Sequence, residues 1–319
     1  MTALLQQTLF YAIPLMIVAL AGVFAERSGI INIALDGIMI FGSFMGALTV
    51  YFIQEAGGLA EDPQAMFVIA MLVSAAAGAI FSLLLSFSAI NLKADQTIGG
   101  TALNMLAPAI TLLIVKLLTG QDRLTMNKDL NFALIGADGK AEFIPYISTY
   151  IAIALFIILA IFLYFTKQGL RLRACGEHPQ AADSVGINVS KMRYLGTTIS
   201  GALAGMGGYI DIATISAGTA EGTVAGMGFL ALAIMIFGNW NPIGIAGGSL
   251  LFGLLKSIGP TYASLDINGD GIAALKDLPL PSYFYNMLPF IIVLVVLAFT
   301  SKKSRAPKAE GIPYDKGQR

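Results

Sequence analysis

Residues 166–193 read TKQGLRLRACGEHPQAADSVGINVSKMR. This is the longest strongly basic polar stretch between apolar runs, with Lys167, Arg171, Arg173, Lys191 and Arg193 set against Glu177 and Asp183. The runs on either side, 144–165 and 192–217, are each about the 20 residues a spanning helix needs, so the stretch is a loop at one membrane face. A short helix signal sits inside it. Pro179 suits a first helical turn, residues 180–185 continue it, and Gly186 can end it. Two helical turns between basic flanks make a compact knob that a partner protein can grip. An ordinary surface helix in a cytoplasmic loop has the same spacing.

Composition agrees with a lipid setting. Of 319 residues, 56% are hydrophobic and only 12% charged, with mean hydropathy +0.78. A soluble domain carries about a quarter charged residues. Formal net charge is zero, which argues against a nucleic-acid partner. Cys175 is the one cysteine and His178 the one histidine, so neither an intrachain disulfide nor a Cys/His metal site can form. No GxxxxGK[ST] loop is present, so the chain is not expected to bind or hydrolyse ATP; nor is there a nucleophile elbow or HExxH. An enzyme is not expected.

Working outward, nine apolar runs qualify as spans: 4–25, 28–53, 65–91, 98–119, 144–165, 192–217, 223–237, 242–262 and 283–300. The first is read as a membrane helix rather than a cleaved signal, because it lacks a basic start. The expectation is an all-α polytopic membrane protein with about nine helices, eight to ten, of which one or two are broken or re-entrant. Residues 1–300 form the transmembrane domain and 301–319 a polar tail expected to be mobile on the cytoplasmic side. With the amino terminus outside, inward loops and the tail hold thirteen basic residues and outward regions six, counting Lys116 and Lys256 as snorkelling at outer helix ends. The loop 263–282 then faces out.

Glycines recur at spacing four: Gly42/Gly46, Gly201/Gly205, Gly218/Gly222/Gly226 and Gly244/Gly248. Lipid supplies no hydrophobic force between helices, so close backbone approach at small residues substitutes for it. The carboxylate and amide residues that stand out in or beside the spans are Asn32, Asp36, Asn104, Asp211 and Asn239. Such residues either mark a solute path or satisfy backbone freed at a helix break. Asp36 is expected about eight residues into its span.

One outward loop has calcium-loop spacing. Asp266, Asn268, Asp270 and Asp277 fall at positions 1, 3, 5 and 12, Gly271 at 6, and Ile272 would offer its carbonyl at 7. A weak structural calcium in 266–277 is the one cofactor this chain suggests, although Asn-Gly-Asp-Gly is also an ordinary turn sequence.

Three stretches together resemble the permease subunit of bacterial ABC importers, in the superfamily of ribose-type and branched-chain amino-acid permeases. They are residues 26–39 with Glu26, Gly29, Asn32 and Asp36; residues 95–107 with Asp95, Gln96 and Asn104; and residues 171–187 with Gly176, Ala181, Ala182 and Gly186. A fourth, residues 228–242, is similar to the nucleoside and simple-sugar branch. That resemblance implies ATP-hydrolysing subunits inside, a second permease chain, an extracytoplasmic solute-binding lipoprotein and a setting in lipid of the bacterial plasma membrane. It places ATPase coupling at Gly176, Glu177, His178, Pro179, Ala181, Ala182 and Gly186. The solute path is expected along Asn32, Asp36, Asn104 and Asp211. Branched-chain amino-acid import is the alternative within the family, and a stand-alone secondary transporter or channel the alternative outside it.

Overall fold

The computed structural model of the chain describes residues 2–57, 62–126, 132–134, 143–144, 146–216, 218–262, 281–300 and 305–317. Its helices are α1 (Thr2–Arg27), α2 (Leu35–Glu55), α3 (Pro63–Ile90), α4 (Gln96–Thr119), α5 (Ile147–Phe165), α6 (Lys167–Glu177), α7 (Pro179–Ser184), α8 (Val189–Thr214), α9 (Met227–Phe237), α10 (Pro242–Thr261) and α11 (Ser282–Thr300). Among the described residues one ladder pairs β1 (Leu124–Thr125) antiparallel with β2 (Thr219–Ala220). The nine apolar runs become α1–α5 and α8–α11, and the polar loop folds into α6 and α7. The protein is an all-α polytopic membrane protein. Among the described residues six helices, α1–α5 and α10, are long and apolar enough to span.

Burial sorts the helices into layers. The most apolar stretch of α1 is 78% buried, against 28% for α4 and α5, so α1 is central and the other two face lipid. Leu113, Leu117 and Ile158 accordingly point outward. Helix α8 packs against α1, α2 and α3. Shielded from lipid by them, it needs no uniform apolar surface and can carry its glycines and Asp211.

The glycine pairs explain how closely these backbones meet. A Cβ on Gly42 would overlap the backbone of Gly205, and one on Gly78 would lie 2.8 Å from Gly205 Cα. Gly42 and Gly46 of α2, Gly78 of α3 and Gly201 and Gly205 of α8 thus form one seam, held by packing that any side chain would spoil. The triplet Gly218/Gly222/Gly226 is different. All three have φ near +70° (+72°, +71° and +72°), so they turn the chain between α8 and α9 rather than line a helix face.

Two further expectations change. Residues 28–34 are not helical, and α2 begins at Leu35, so Asp36 lies in the first turn rather than eight residues deep. Gly29, at φ +95°, makes the bend, and the Arg193 guanidinium occupies the space a Cβ would take. The tail, expected to be mobile, is packed over residues 305–317. Pro307 and Ala309 are buried, the Ala309 amide donates to the Gly176 carbonyl at 2.8 Å, and the Arg305 amide donates to Asn239 Oδ1 at 2.8 Å. Two small apolar residues and two backbone bonds outweigh the polar composition that suggested disorder.

Candidate functional site

The loop 166–193 is a three-helix elbow, and each helix starts on a side-chain cap. Thr166 Oγ1 accepts from the Gly169 amide at 3.1 Å, His178 Nδ1 from Ala181 at 3.2 Å, and Asn188 Oδ1 from Lys191 at 2.9 Å. Caps of this kind are worth roughly 1 kcal/mol each, so the short α7 is held by its ends. Gly186, at φ +84°, closes it as the sequence suggested.

The elbow is fastened to the end of α1. A Cβ on Gly176 would collide with the Arg27 carbonyl, and the Arg27 guanidinium meets the Glu177 carboxylate at 3.3 Å. The residues that the family resemblance marks for coupling divide into two sets. Gly176, Pro179 and Ala182 are buried, Ala182 in a cluster with Cys175, Val189 and Met192 on which Tyr314 of the tail packs. Glu177, His178, Ala181 and Gly186 are exposed. Sequence reading missed Gln180 and Val185 on that open face; Val185 is 74% exposed, an apolar knob on a polar helix. Burial pushes the Cys175 thiol up to about 11, against the pull of Arg193, so it is a packing group here.

A cavity of 630 Å³ opens beside α7, lined by Lys93, Asp183, Ile187, Tyr314 and Asp315 among others. Lys93 donates to Asp315 at 2.8 Å across it, and this ammonium holds the Asp315 carboxyl below its usual range. Glu310 sits nearer α1. Burial pushes its carboxyl up to about 7 against the pull of Arg27, and its Oε2 has no hydrogen-bond partner.

Beneath the elbow, Glu26 accepts from the indole N–H of Trp240, which stands in the α9–α10 turn with φ +55°. This bond ties the elbow end of α1 to the α9–α10 turn. Neither residue's partner is visible from sequence spacing, since the two lie on opposite halves of the chain.

The polar residues of the interior have distinct surroundings. Asn104 Nδ2 donates to the Ile33 carbonyl at 2.9 Å and its Oδ1 accepts from the Gly37 amide at 2.8 Å, bridging the break before α2. Asn32 Nδ2 donates to Ser200 Oγ at 2.9 Å, linking that break to α8. Asp36 Oδ1 accepts from the Gly228 amide at 2.9 Å, capping the short α9. Backbone and hydroxyl partners therefore hold these three side chains, although the buried Asn32 Oδ1 is left without one. Asp211 instead borders a cavity of 320 Å³, with Tyr11 of α1, Lys256 of α10 and the Thr219–Met227 turn. Lys256, expected to snorkel outward, lines this cavity and lies 5.2 Å from the Phe290 ring. Among the described residues no group of three His, Cys, Asp or Glu side chains is placed to hold a metal ion. The calcium-like loop 266–277 lies outside the described residues.

The bundle thus carries a capped elbow at one end and a polar pocket towards the other. The family model described as branched-chain amino acid transport system, permease component, matches residues 4–297. The chain belongs to this permease family. The permease is 42% identical to the guanosine ABC transporter permease protein NupQ of Bacillus subtilis, over 98% of its own length and 96% of the relative's. It is 38% identical to the nucleoside ABC transporter permease protein NupC of Lactococcus lactis, over 97% and 96%. NupB, a second nucleoside ABC transporter permease of the same Lactococcus, is 30% identical over 59% of this permease and 47% of the relative. No solved structure matches. As a multi-pass permease of an ABC transporter the chain is a transport subunit and not an enzyme; ATP hydrolysis belongs to partner ATPases, and another permease subunit accompanies it.

Proposed function

We propose that this permease carries nucleosides inward across the bacterial plasma membrane. Near-full-length similarity to a guanosine and a nucleoside permease carries the reading. An extracytoplasmic binding protein hands over the solute, and a second, non-identical permease chain completes the path. The exposed α7 face, with Gln180, Ala181 and Val185, seats in the ATPase. When ATP closes the ATPase pair, α7 moves as one piece because both ends of the elbow are capped and its base is fixed to Arg27. That displacement reaches the central α1 through Gly176 and Glu177, then α10 through Glu26–Trp240, and the bundle rocks between inward and outward access. The glycine seam lets α2, α3 and α8 shift with backbones in contact.

The test is transport by the whole assembly in proteoliposomes, with labelled guanosine, ribose and leucine offered separately. Guanosine accumulation driven by ATP is expected. Accumulation of leucine or ribose without guanosine would overturn the nucleoside assignment.

A further inference from the structure

Of the four polar residues that the sequence places on a solute path, three hydrogen-bond to the protein through their side chains, Asn32 through its Nδ2 alone. Asp211 is the exception, and its neighbours come from elements far apart in sequence. The carboxylate is 5% exposed on α8 and borders a cavity with the Lys256 ammonium of α10 and the Tyr11 phenol of α1. Asp211 acts electrostatically on both. Yet among the described residues Asp211 and Lys256 form no direct ion pair, and no hydrogen bond joins the Asp211 carboxylate to another side chain. Opposite charges in a membrane interior ordinarily close on each other, since each is costly alone. Here space stands between them.

Position along the bundle supports a binding role. Measured from the elbow end at about 1.5 Å per residue, Tyr11, Asp211 and Lys256 all lie in the far part of their helices. The mouth is formed by the turn holding Ser216, Thr219 and Thr223, which is pinned by β1 and by the Arg123–Glu221 pair at 3.1 Å. A volume of 320 Å³ is at the lower end of small-molecule pockets, about 300–1,000 Å³. It suits a solute of one or two rings.

We propose that the cavity between Tyr11, Asp211 and Lys256 is the permease's own solute site and takes an uncharged nucleoside. This deepens the transport reading above and rests on it. Ribose hydroxyls donate to the Asp211 carboxylate. Ring nitrogens or a carbonyl oxygen of the base accept from Lys256, and the base's π-face packs on the Tyr11 ring. Asp211 is balanced by Lys256, and Glu221, which also lines the cavity, is balanced by Arg123 at 3.1 Å, so the site is neutral overall. A net acid or base would leave one charge unmatched, whereas a neutral solute with donors and acceptors satisfies both. A zwitterionic amino acid would also match the two charges. The full-length nucleoside relatives and the hydroxyl-bearing mouth favour the nucleoside.

The experiment uses the complete transporter. The native Cys175 is buried at the elbow, so a Ser216→Cys variant presents one accessible thiol at the cavity mouth. Its labelling by a membrane-impermeant thiosulfonate from outside is timed with and without guanosine, and with leucine as comparator. Guanosine is expected to slow labelling severalfold and leucine to leave it unchanged. Asp211→Asn and Lys256→Gln, made singly in that background, are each expected to abolish the protection. In the native background each is expected to raise the transport KM for guanosine about tenfold or more, the size of losing one charge-assisted hydrogen bond, at equal membrane content. If guanosine is transported but neither protects Ser216→Cys nor changes KM in either variant, the site is wrong while the nucleoside reading stands. Protection by leucine alone would also overturn it. A complete transporter that moves no guanosine would instead sink the broader assignment.

Discussion

The Ala309 amide donates to the Gly176 carbonyl at 2.8 Å, which ties the carboxyl-terminal segment to the base of the elbow. Gly176 is pressed against Arg27, so tail, elbow and central helix meet at one point. The tail thus braces the elbow, and Tyr314 packs on the cluster that contains Cys175.

Removing the brace should uncover that cysteine. A chain ending at residue 304, or the milder Tyr314→Ala, is expected to react with maleimide at Cys175 at least severalfold faster than the native chain. Guanosine uptake per ATP hydrolysed should fall in parallel. Unchanged Cys175 labelling in both variants would show that the tail does not cover the elbow.

The brace should also respond to pH through Glu310. Burial raises its carboxyl to about 7 in the packed tail, above the ordinary carboxylate value, so the packed form binds the extra proton. Packing is therefore favoured below the ordinary value and is progressively lost as pH rises towards about 7, beyond which the penalty is constant. Protease cleavage within 305–317 should become faster between pH 5 and 8. Glu310→Gln should flatten that profile, leaving cleavage slow throughout.

The division of the elbow into open and buried residues separates two kinds of failure. Val185→Asp, on the exposed tip, should leave the permease in the membrane with native thermal stability while weakening ATPase capture in a pull-down. Ala182→Asp places a carboxylate where only 4% of the residue is exposed. It should lower the melting temperature first, by an amount consistent with about 1–3 kcal/mol or more for an unmatched buried polar group, and lose the ATPase as a consequence.

The glycine seam should tolerate nothing larger. Gly205→Val forces α8 away from α2 and α3, where Gly42, Ser74 and Gly78 abut it. A cost of roughly 1–3 kcal/mol or more is expected from overpacking, read as a drop in the melting temperature of the purified permease. Gly247→Ala, where nothing lies within 4 Å, should be silent and serves as the control.

What was legible in the sequence follows from the range of the forces involved. The spans were visible because lipid demands about 20 apolar residues in a row, and α7 because Pro179 and Gly186 bracket it locally. The break at 28–34 was hidden, since Ile30, Ile31 and Ile33 keep that stretch apolar whether or not it is helical. Spacing four misled at Gly218, Gly222 and Gly226, where the same interval serves three left-handed turns. The packed tail and the Tyr11–Asp211–Lys256 cavity left no local trace. The cavity depends on how α1, α8 and α10 pack, and the tail on where α6 and the α9–α10 turn come to lie.

The account requires that this chain be moved by others. The direct measurement is guanosine accumulation against a gradient in proteoliposomes, comparing the complete transporter with the permease chains lacking their ATPase subunits. Uphill accumulation that needs ATP and vanishes without the ATPases is predicted. Uphill accumulation by the permease chains alone, powered by an ion gradient, would contradict it.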